Sequence, residues 1–289
     1  MESFCFKQFS VRQAKSAMKV NTDGVLLGAW LTVPGGQPHS DIDSGKEQDH
    51  NSEQSQKLRI LDLGTGTGVI ALIIAQRLAA VNAMNNHPQE PALTRMPAEI
   101  LGIDPDEPSA EEARFNFSAS PWSSFMKADS LSFSELAAKE QRGAFSLIAS
   151  NPPYFNNSLK APCPRRSSSR HTDDLPFETI ISGSEKLLCE GGILSVILPF
   201  AEGMQFASLA KKSALRMMRI CRVETVRGGK VKRVMMEFVK RAAAGGAAEA
   251  AAEAAGVNIA GETIAIQESA GGPYTNEYRR LTGDLYLKF

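Results

Sequence analysis

The chain has 289 residues, 43 % of them hydrophobic, and its 32 basic side chains are balanced by 32 acidic ones. This composition predicts one large or two small globular domains and argues against a protein that is coated by nucleic acid. Its four cysteines and four histidines are scattered, which excludes a disulfide framework and argues against a metal site.

The apolar runs of the chain are short. None approaches the roughly 20 residues that cross a bilayer, and the N-terminus lacks the basic region and apolar core of a signal peptide. We therefore expect a cytoplasmic protein that does not bind membranes. The oligomeric state cannot be read from the sequence, and a monomer is favoured.

The first 33 residues are aromatic-rich and predict short strands followed by a short helix. Asn21, Thr22 or Asp23 would cap this helix. Two interpretations stay open for residues 1–33, namely a clamp that buries one edge of a sheet and a lid over a bound ligand. Residues 34–57 are polar and poor in apolar side chains, which indicates an insertion loop.

From residue 58 onward, strand patterns alternate with helix patterns. The predicted strands are 59–63, 99–104, 124–129, 145–150 and 192–198, and the predicted helices are 69–80, 107–118, 132–141 and 174–190. Such alternation predicts an α/β domain over residues 58–289, with a mostly parallel sheet covered by helices on both faces. Residues 219–227 and 233–241 predict a C-terminal antiparallel hairpin, which makes seven strands. Two further insertions are expected near 81–97 and 242–258.

The first strand of this domain leads directly into a glycine-rich turn. Its sequence, Asp-Leu-Gly-Thr-Gly-Thr-Gly, spans residues 62–68. Glycines at 64, 66 and 68 permit a tight turn and a close approach of the backbone to a ligand. The spacing differs from the G-x-G-x-x-G pattern of dinucleotide-binding proteins, and Asp62 would repel a pyrophosphate. A cationic ligand such as S-adenosylmethionine is therefore favoured over NAD or FAD.

Two more predicted strands end in an acid. Asp104 could bind a ribose diol, and Asp129 could accept a hydrogen bond from an adenine amino group. Either residue alone could equally be a helix cap or a solvated loop residue. Because the carboxyl ends of parallel strands share one edge of a sheet, these acids and the glycine-rich turn should lie together.

The tetrapeptide Asn151-Pro152-Pro153-Tyr154 follows another buried strand. Its prolines end the strand and hold Asn151 extended. The result is a rigid set of hydrogen-bond acceptors beside one aromatic ring. Such a set suits a planar group that carries an NH2, as in adenine, guanine or a carboxamide. A proline-stiffened loop without a ligand is the alternative.

Basic residues are concentrated near this tetrapeptide and towards the C-terminus. Lys160, Arg165, Arg166 and Arg170 follow the tetrapeptide, and eleven more basic residues lie between 211 and 241. In a protein without net charge, this clustering indicates a local phosphate-binding surface beside the site. A solvated face of an edge hairpin is the alternative.

These motifs together resemble the bacterial tRNA1(Val) (adenine(37)-N6)-methyltransferases. The resemblance covers nearly the whole chain and rests on the N-terminal residues 6–9 and 17–30, the glycine-rich turn 62–68, the Asn-Pro-Pro-Tyr loop, and Asn116 with residues 120–122. It implies a class I methyltransferase fold, S-adenosylmethionine as cofactor and tRNA as substrate, specifically the anticodon loop of valine tRNA. The three insertions depart from the family pattern.

The resemblance also implies roles for individual residues. Asp62 and the glycines would line the cofactor, with Asp104 at its ribose and Asp129 at its adenine, and Lys19, Thr22 and Asp23 would close over its methionine end. Asn151 and the Pro152 carbonyl would accept the two N6 hydrogens of a flipped adenine, and Tyr154 would stack on that base.

Four other functions stay open at this point. A glutamine N5-methyltransferase of release factors shares the Asn-Pro-Pro-Tyr loop, but that family carries a helical N-terminal domain for which residues 1–33 leave no room. A guanine N2-methyltransferase of rRNA is also compatible. An RNA-binding scaffold with a vestigial cofactor fold would not need intact acids at 62, 104 and 129. A dinucleotide oxidoreductase is disfavoured by the glycine spacing.

Overall fold

Strands and helices alternate along the chain from Leu58 onward, as the sequence predicts. The computed structural model describes residues 3–34, 58–84, 98–153, 175–241 and 261–289. Its strands are β1 Ser3–Cys5, β2 Ser10–Arg12, β3 Leu58–Leu63, β4 Ala98–Ile103, β5 Met126–Asp129, β6 Phe145–Ser150, β7 Leu188–Pro199, β8 Leu215–Val226, β9 Val231–Lys240 and β10 Gly261–Gln267. Its α-helices are α1 Thr22–Trp30, α2 Val69–Met84, α3 Glu107–Ser118, α4 Phe133–Lys139, α5 Phe177–Leu187, α6 Phe200–Ala210 and α7 Asn276–Thr282.

The main sheet of the described part has the strand order β10-β8-β9-β7-β6-β3-β4-β5. All neighbours in it are parallel except β9, which is antiparallel to both β7 and β8. The predicted parallel α/β sheet with a C-terminal antiparallel hairpin is therefore confirmed. The predicted number of seven strands is too low by one, because β10 adds to the edge of the hairpin in parallel with β8.

The sheet is buried on both faces, as a parallel sheet requires. Successive residues of β3 show this, since Ile60 packs into the core around α1 and α2, whereas Leu61 packs into the core around α4, α5 and α6. Helix α2 is apolar nearly all round because it lies between the sheet and α1. No helix among the described residues is long and apolar enough to span a membrane.

Several predicted boundaries differ from the structure. Strand β7 begins at Leu188, inside the helix predicted over 174–190, and β8 begins at Leu215, before the predicted 219. Helix α2 continues to Met84, so the insertion expected from residue 81 cannot begin before 85. Strand β5 is shorter than predicted, because a turn of 3-10 helix over Ser123–Phe125 precedes it. The insertion at 34–57 lies almost wholly outside the described residues, and the one near 242–258 lies wholly outside them.

The N-terminal segment is anchored to the domain at both ends of α1. Asn21 is the residue that caps this helix, since its side chain accepts a hydrogen bond from the Gly24 amide at 2.9 Å. Beyond the helix, the Thr32 amide and hydroxyl both donate to the buried Glu237 carboxylate of β9, at 2.6 and 2.8 Å. Residues 3–34 are thus packed as part of the domain.

Candidate functional site

Four strand ends lie in one row across the sheet. Leu63 is in register with both Ile103 and Ser150, and Ile103 is in register with Asp129. We call the side of the sheet that this row marks the carboxyl edge. The glycine-rich turn, the loop from Asp104, and the Asn-Pro-Pro loop all leave the sheet there, as predicted from the direction of parallel strands.

The glycine-rich turn is held by backbone bonds to the neighbouring strand. The amides of Gly64 and Thr65 both donate to the Ile103 carbonyl at 2.9 Å. Gly64, Gly66 and Gly68 have φ angles of 73°, 53° and 82°, which favour glycine. A Cβ on Gly68 would stand 2.4 Å from the Phe117 ring, whereas a Cβ on Gly64 would have no atom within 4 Å. The turn therefore packs against the core at Gly68 and is open at Gly64.

Asp62 is fully buried in β3, beneath this turn. One carboxylate oxygen, Oδ2, accepts hydrogen bonds from the Thr65 hydroxyl at 2.7 Å and the Ala71 amide at 3.2 Å. The other oxygen, Oδ1, is buried and has no hydrogen-bond partner within the described residues. Such an acceptor is costly unless a ligand supplies a donor.

Burial raises the pKa of Asp62 from 3.8 to about 6, although the hydrogen bonds from Thr65 and Ala71 oppose the shift. A carboxyl whose pKa is higher in the folded state stabilises the fold less as pH rises from its unfolded pKa through its folded pKa. The test is urea unfolding of the ligand-free wild type and of Asp62→Asn at several pH values. We expect the free energy of unfolding of the wild type, minus that of the variant, to fall by on the order of 1 kcal/mol between about pH 5 and about pH 7.5. If this difference in free energy of unfolding stayed constant, Asp62 would not titrate in that pH range.

Asp104 and Asp129 lie at the ends of the next two strands. The Asp104 carboxylate accepts the Gly66 amide on Oδ2 and the Asp106 amide on Oδ1, both at 3.0 Å. Its backbone amide donates to the Asp129 carbonyl at 3.3 Å, and Asp129 is exposed. The Asp104 carboxylate thus lies directly against the glycine-rich turn at the carboxyl edge.

Asn151 follows β6 directly beside the glycine-rich turn. The preceding residue, Ser150, donates its hydroxyl to the Leu63 carbonyl at 2.9 Å and so joins the two strand ends. The Asn151 Oδ1 is buried without a hydrogen-bond partner in the part of the chain described. Pro152 is buried and Pro153 is exposed. Two unpartnered acceptors, on Asp62 and Asn151, are therefore carried by neighbouring strands.

The remaining predicted residues are placed only in part. Tyr154 and the basic residues Lys160, Arg165, Arg166 and Arg170 lie outside the described residues. Thr22 and Asp23 begin α1, and the Asp23 carboxylate is paired with Arg233 of β9 at 2.8 Å. Lys19 lies just before Asn21, the cap of that helix.

Glu112 of α3 is a residue whose importance the sequence did not reveal. Its fully buried carboxylate accepts three consecutive backbone amides, those of residues 14, 15 and 16, at 2.7 to 2.9 Å. One turn later, the Asn116 side chain accepts a hydrogen bond from the Arg12 amide and donates to the Arg12 carbonyl. It also donates to the Thr67 carbonyl at 2.9 Å. Helix α3 thus fixes the N-terminal segment against the glycine-rich turn.

The basic stretch predicted beside the site is divided by the hairpin. The tip of the hairpin lies at the carboxyl edge, where Arg233 is in register with Pro199 at the end of β7. This tip carries Arg227, Lys230, Lys232 and Arg233. The other end of the hairpin carries Lys211, Lys212, Arg216, Lys240 and Arg241, next to Leu215 and Leu188. The expectation that all these charges flank the site is wrong for this second group. No group of three or more potential metal-binding side chains occurs among the described residues.

Comparison with known proteins supplies close relatives. No protein-family model matches the chain. It is 34 % identical to the tRNA1(Val) (adenine(37)-N6)-methyltransferase of Flavobacterium psychrophilum over 99 % of both chains. The proteins of the same name from Flavobacterium johnsoniae and Photobacterium profundum are 35 % and 32 % identical, again over 99 % of each chain.

A solved structure supports the fold independently. A predicted O-methyltransferase from Agrobacterium tumefaciens superposes with a TM-score of 0.56 over 91 % of this chain and 96 % of that one, at 16 % identity. This likeness concerns the fold alone. With the strand order of the main sheet, it identifies the arrangement as that of a class I methyltransferase.

Proposed function

The chain belongs to the family of tRNA1(Val) (adenine(37)-N6)-methyltransferases, and we propose that it methylates the N6 amino group of an adenine in tRNA, most specifically adenosine 37 of valine tRNA. The observation that carries this proposal is the buried Asn151 Oδ1 beside the glycine-rich turn, which has no hydrogen-bond partner among the residues that the structure describes. An acceptor held at this point suits an amino group that must be presented to a methyl donor.

S-adenosylmethionine is the cofactor, and when bound it supplies a methyl group activated on a sulfonium centre. The residues present fit it. Asp62 offers a buried acceptor for its cationic methionine end. Asp104 lies against the glycine-rich turn, where its carboxylate would bind the ribose hydroxyls. Asp129 would bind the cofactor's adenine amino group. Gly64, Gly66 and Gly68 let the backbone approach the ligand.

Substitution of Gly64, compared with substitution of Gly191, tests whether the glycine-rich turn contacts the cofactor. In Gly64→Ala and Gly191→Ala, the new Cβ stands in open space at φ angles of 73° and 74°. Both variants should therefore lose a similar free energy of unfolding, about 1–2 kcal/mol. Only Gly64→Ala should weaken binding of S-adenosylmethionine, as measured by calorimetric titration. Equal cofactor affinity in the two variants would place the ligand away from Gly64.

Asn151 would orient the target adenine by accepting one N6 hydrogen on Oδ1, while the Pro152 carbonyl accepts the other. These two bonds hold the nitrogen lone pair towards the methyl donor and reduce its delocalisation into the ring. Positioning and preorganised polarity supply the acceleration. The methylated amine is a cation that loses its proton readily, so no strong base is required of the site. Pro153 contributes by stiffening the loop.

Further roles in the proposal belong partly to residues that lie outside the described part of the chain and partly to the N-terminal segment. The target base must leave its stack to reach the carboxyl edge, and Tyr154 would stack on it. Lys160, Arg165, Arg166 and Arg170 would hold phosphates of the tRNA. In the N-terminal segment, Lys19 and Thr22 would close over the methionine end of the cofactor. Asp23 could do so only while sharing its carboxylate with Arg233.

The division into regions supports the same scheme. Residues 1–33 would act as a cap beside the cofactor, because Glu112 and Asn116 fix residues 12–16 next to the glycine-rich turn. Residues 34–57 would be an insertion, and residues 58–289 the methyltransferase domain. A tRNA substrate places the protein in the cytoplasm.

The substrate class is tested by offering two acceptors to the purified protein with labelled S-adenosylmethionine. We expect label to enter unmodified tRNA and not a release factor. Label in the release factor alone would move the assignment to glutamine methylation. Tight cofactor binding without transfer to either would contradict the tRNA assignment and favour a binding scaffold.

A further inference from the structure

An exposed aromatic side chain stands at the carboxyl edge beyond the catalytic loop. Phe200 is 36 % exposed and directly follows Pro199, the last residue of β7. Strand β7 is the parallel neighbour of β6, and its Val196 is in register with Ser150. Phe200 is four residue steps beyond Val196 along extended chain, so it lies roughly 13 Å beyond the level of Ser150. An apolar ring of this size at an exposed edge suits a stacking partner.

Two lysines lie beside this ring at the tip of the β8–β9 hairpin. Arg233 is in register with Pro199, which places Lys232 alongside Phe200, and Lys230 is in the turn. Both lysines are exposed, and neither forms an ion pair with any residue in the described part of the chain. We call Phe200, Lys230 and Lys232 the hairpin surface.

The neighbouring arginines differ from these lysines because each forms an ion pair with an acidic side chain. Arg227 is paired with Glu268 at 2.6 Å and with Glu277 at 2.9 Å, and Arg233 is paired with Asp23 at 2.8 Å. The nearby acid Glu224 accepts the Gly228 amide at 2.7 Å and so helps to shape the turn. Among the basic residues of the hairpin tip, 227–233, all of them described, the two without an ion pair to a described residue are therefore Lys230 and Lys232.

We propose that the hairpin surface binds the single-stranded nucleotides that flank the target base, an inference that rests on the function proposed above. Phe200 stacks on an unpaired base, and the two lysines contact phosphates. An aromatic ring interleaved with cations is the arrangement by which proteins bind single-stranded nucleic acid. The distance from Ser150 corresponds to a few nucleotides at about 3.4 Å or more each. The nucleotides next to the flipped adenine would thus be bound by the hairpin surface on one side of the target base.

The lysines are tested by neutralisation, with a matched control at the other end of the same sheet. Lys230→Gln/Lys232→Gln should weaken tRNA binding and raise the KM for tRNA, while the KM for S-adenosylmethionine stays unchanged. The slope of log affinity against log salt concentration is negative, and its magnitude should fall by about 1.4–1.8, the value for two lost phosphate contacts. The control, Lys211→Gln/Lys212→Gln, removes the same charge from exposed residues at the opposite end.

The ring is tested separately by substitution of Phe200. Phe200→Leu keeps an apolar side chain at the start of α6 but cannot stack, and tRNA affinity should fall by roughly 5- to 150-fold, the range for one base–aromatic stack. Phe200→Tyr should restore affinity to near the wild-type value. A structural role alone would instead lower the melting temperature of Phe200→Leu without changing tRNA binding by the folded protein.

These measurements distinguish the inference from the function on which it rests. Wild-type transfer to tRNA, with the two lysine double variants indistinguishable in KM and salt slope, would overturn the inference and leave the function intact. A wild-type protein that bound tRNA through the hairpin surface but transferred no methyl group would overturn the function alone. The inference is supported only if the hairpin variants lose tRNA affinity and the control does not.

Discussion

Replacement of Asn151 by alanine is expected to abolish methyl transfer to tRNA while cofactor binding persists. The side-chain oxygen is the acceptor that positions the target amino group, and loss of one preorganised polar contact typically lowers kcat by about 10²- to 10³-fold. The variant should fold as well as the wild type, because it removes a buried oxygen that has no partner in the described part of the chain. Single-turnover transfer and calorimetric binding of S-adenosylmethionine measure the two properties separately.

A suitable control for this variant is Asn276→Ala. Asn276 is exposed at the start of α7, which follows β10 at the far edge of the sheet, four strands from β6. It should transfer methyl groups at the wild-type rate. Wild-type-like turnover by Asn151→Ala would rule out the proposed orientation of the adenine, whatever the control does.

Replacement of Gly68 by alanine should destabilise the fold more than the same replacement of Gly64 or Gly66. The residue has a φ angle of 82°, and an added Cβ would stand 2.4 Å from the buried Phe117 ring. Backbone strain and overpacking together should lower the free energy of unfolding by about 2–5 kcal/mol. Cofactor binding should be lost as well, because the turn must move. Urea unfolding measures the first effect and calorimetric titration the second.

The two causes can be separated with variants of the same chain. Gly191→Ala has the same kind of φ angle, 74°, without any neighbour within 4 Å, and should show only the backbone cost. Phe117→Leu removes the ring edge, so the penalty for Gly68→Ala should be smaller in that background. An equal loss of stability in Gly68→Ala and Gly191→Ala would contradict the close contact with Phe117.

The parts of the fold and site that could be predicted depend on short stretches of sequence. Asp62 and the three glycines occupy seven consecutive residues, and the Asn-Pro-Pro loop follows its strand directly. Their common placement then follows from the direction of parallel strands. Each step uses local pattern and one topological rule, so no knowledge of distant contacts was needed. The cap of α1 at Asn21 was predictable for the same reason.

Other features depend on contacts between distant parts of the chain. Glu112 looks like an ordinary exposed residue of an amphipathic helix, yet its carboxylate binds amides about a hundred residues earlier. The basic stretch between 211 and 241 is continuous in sequence but divided in space, because a strand of ten residues is about 33 Å long. Strand β10 follows an Ala/Gly-rich tract and pairs with a strand more than thirty residues earlier, so its pattern alone does not indicate an added edge strand.

The most direct test of the central claim is nucleoside analysis of valine tRNA after incubation with the protein and labelled S-adenosylmethionine. Two unmodified transcripts are compared, one with adenosine at position 37 and one with guanosine there. The proposed function predicts label in N6-methyladenosine from the first transcript and none from the second. Label in another nucleoside, or equal label in both transcripts, would contradict it.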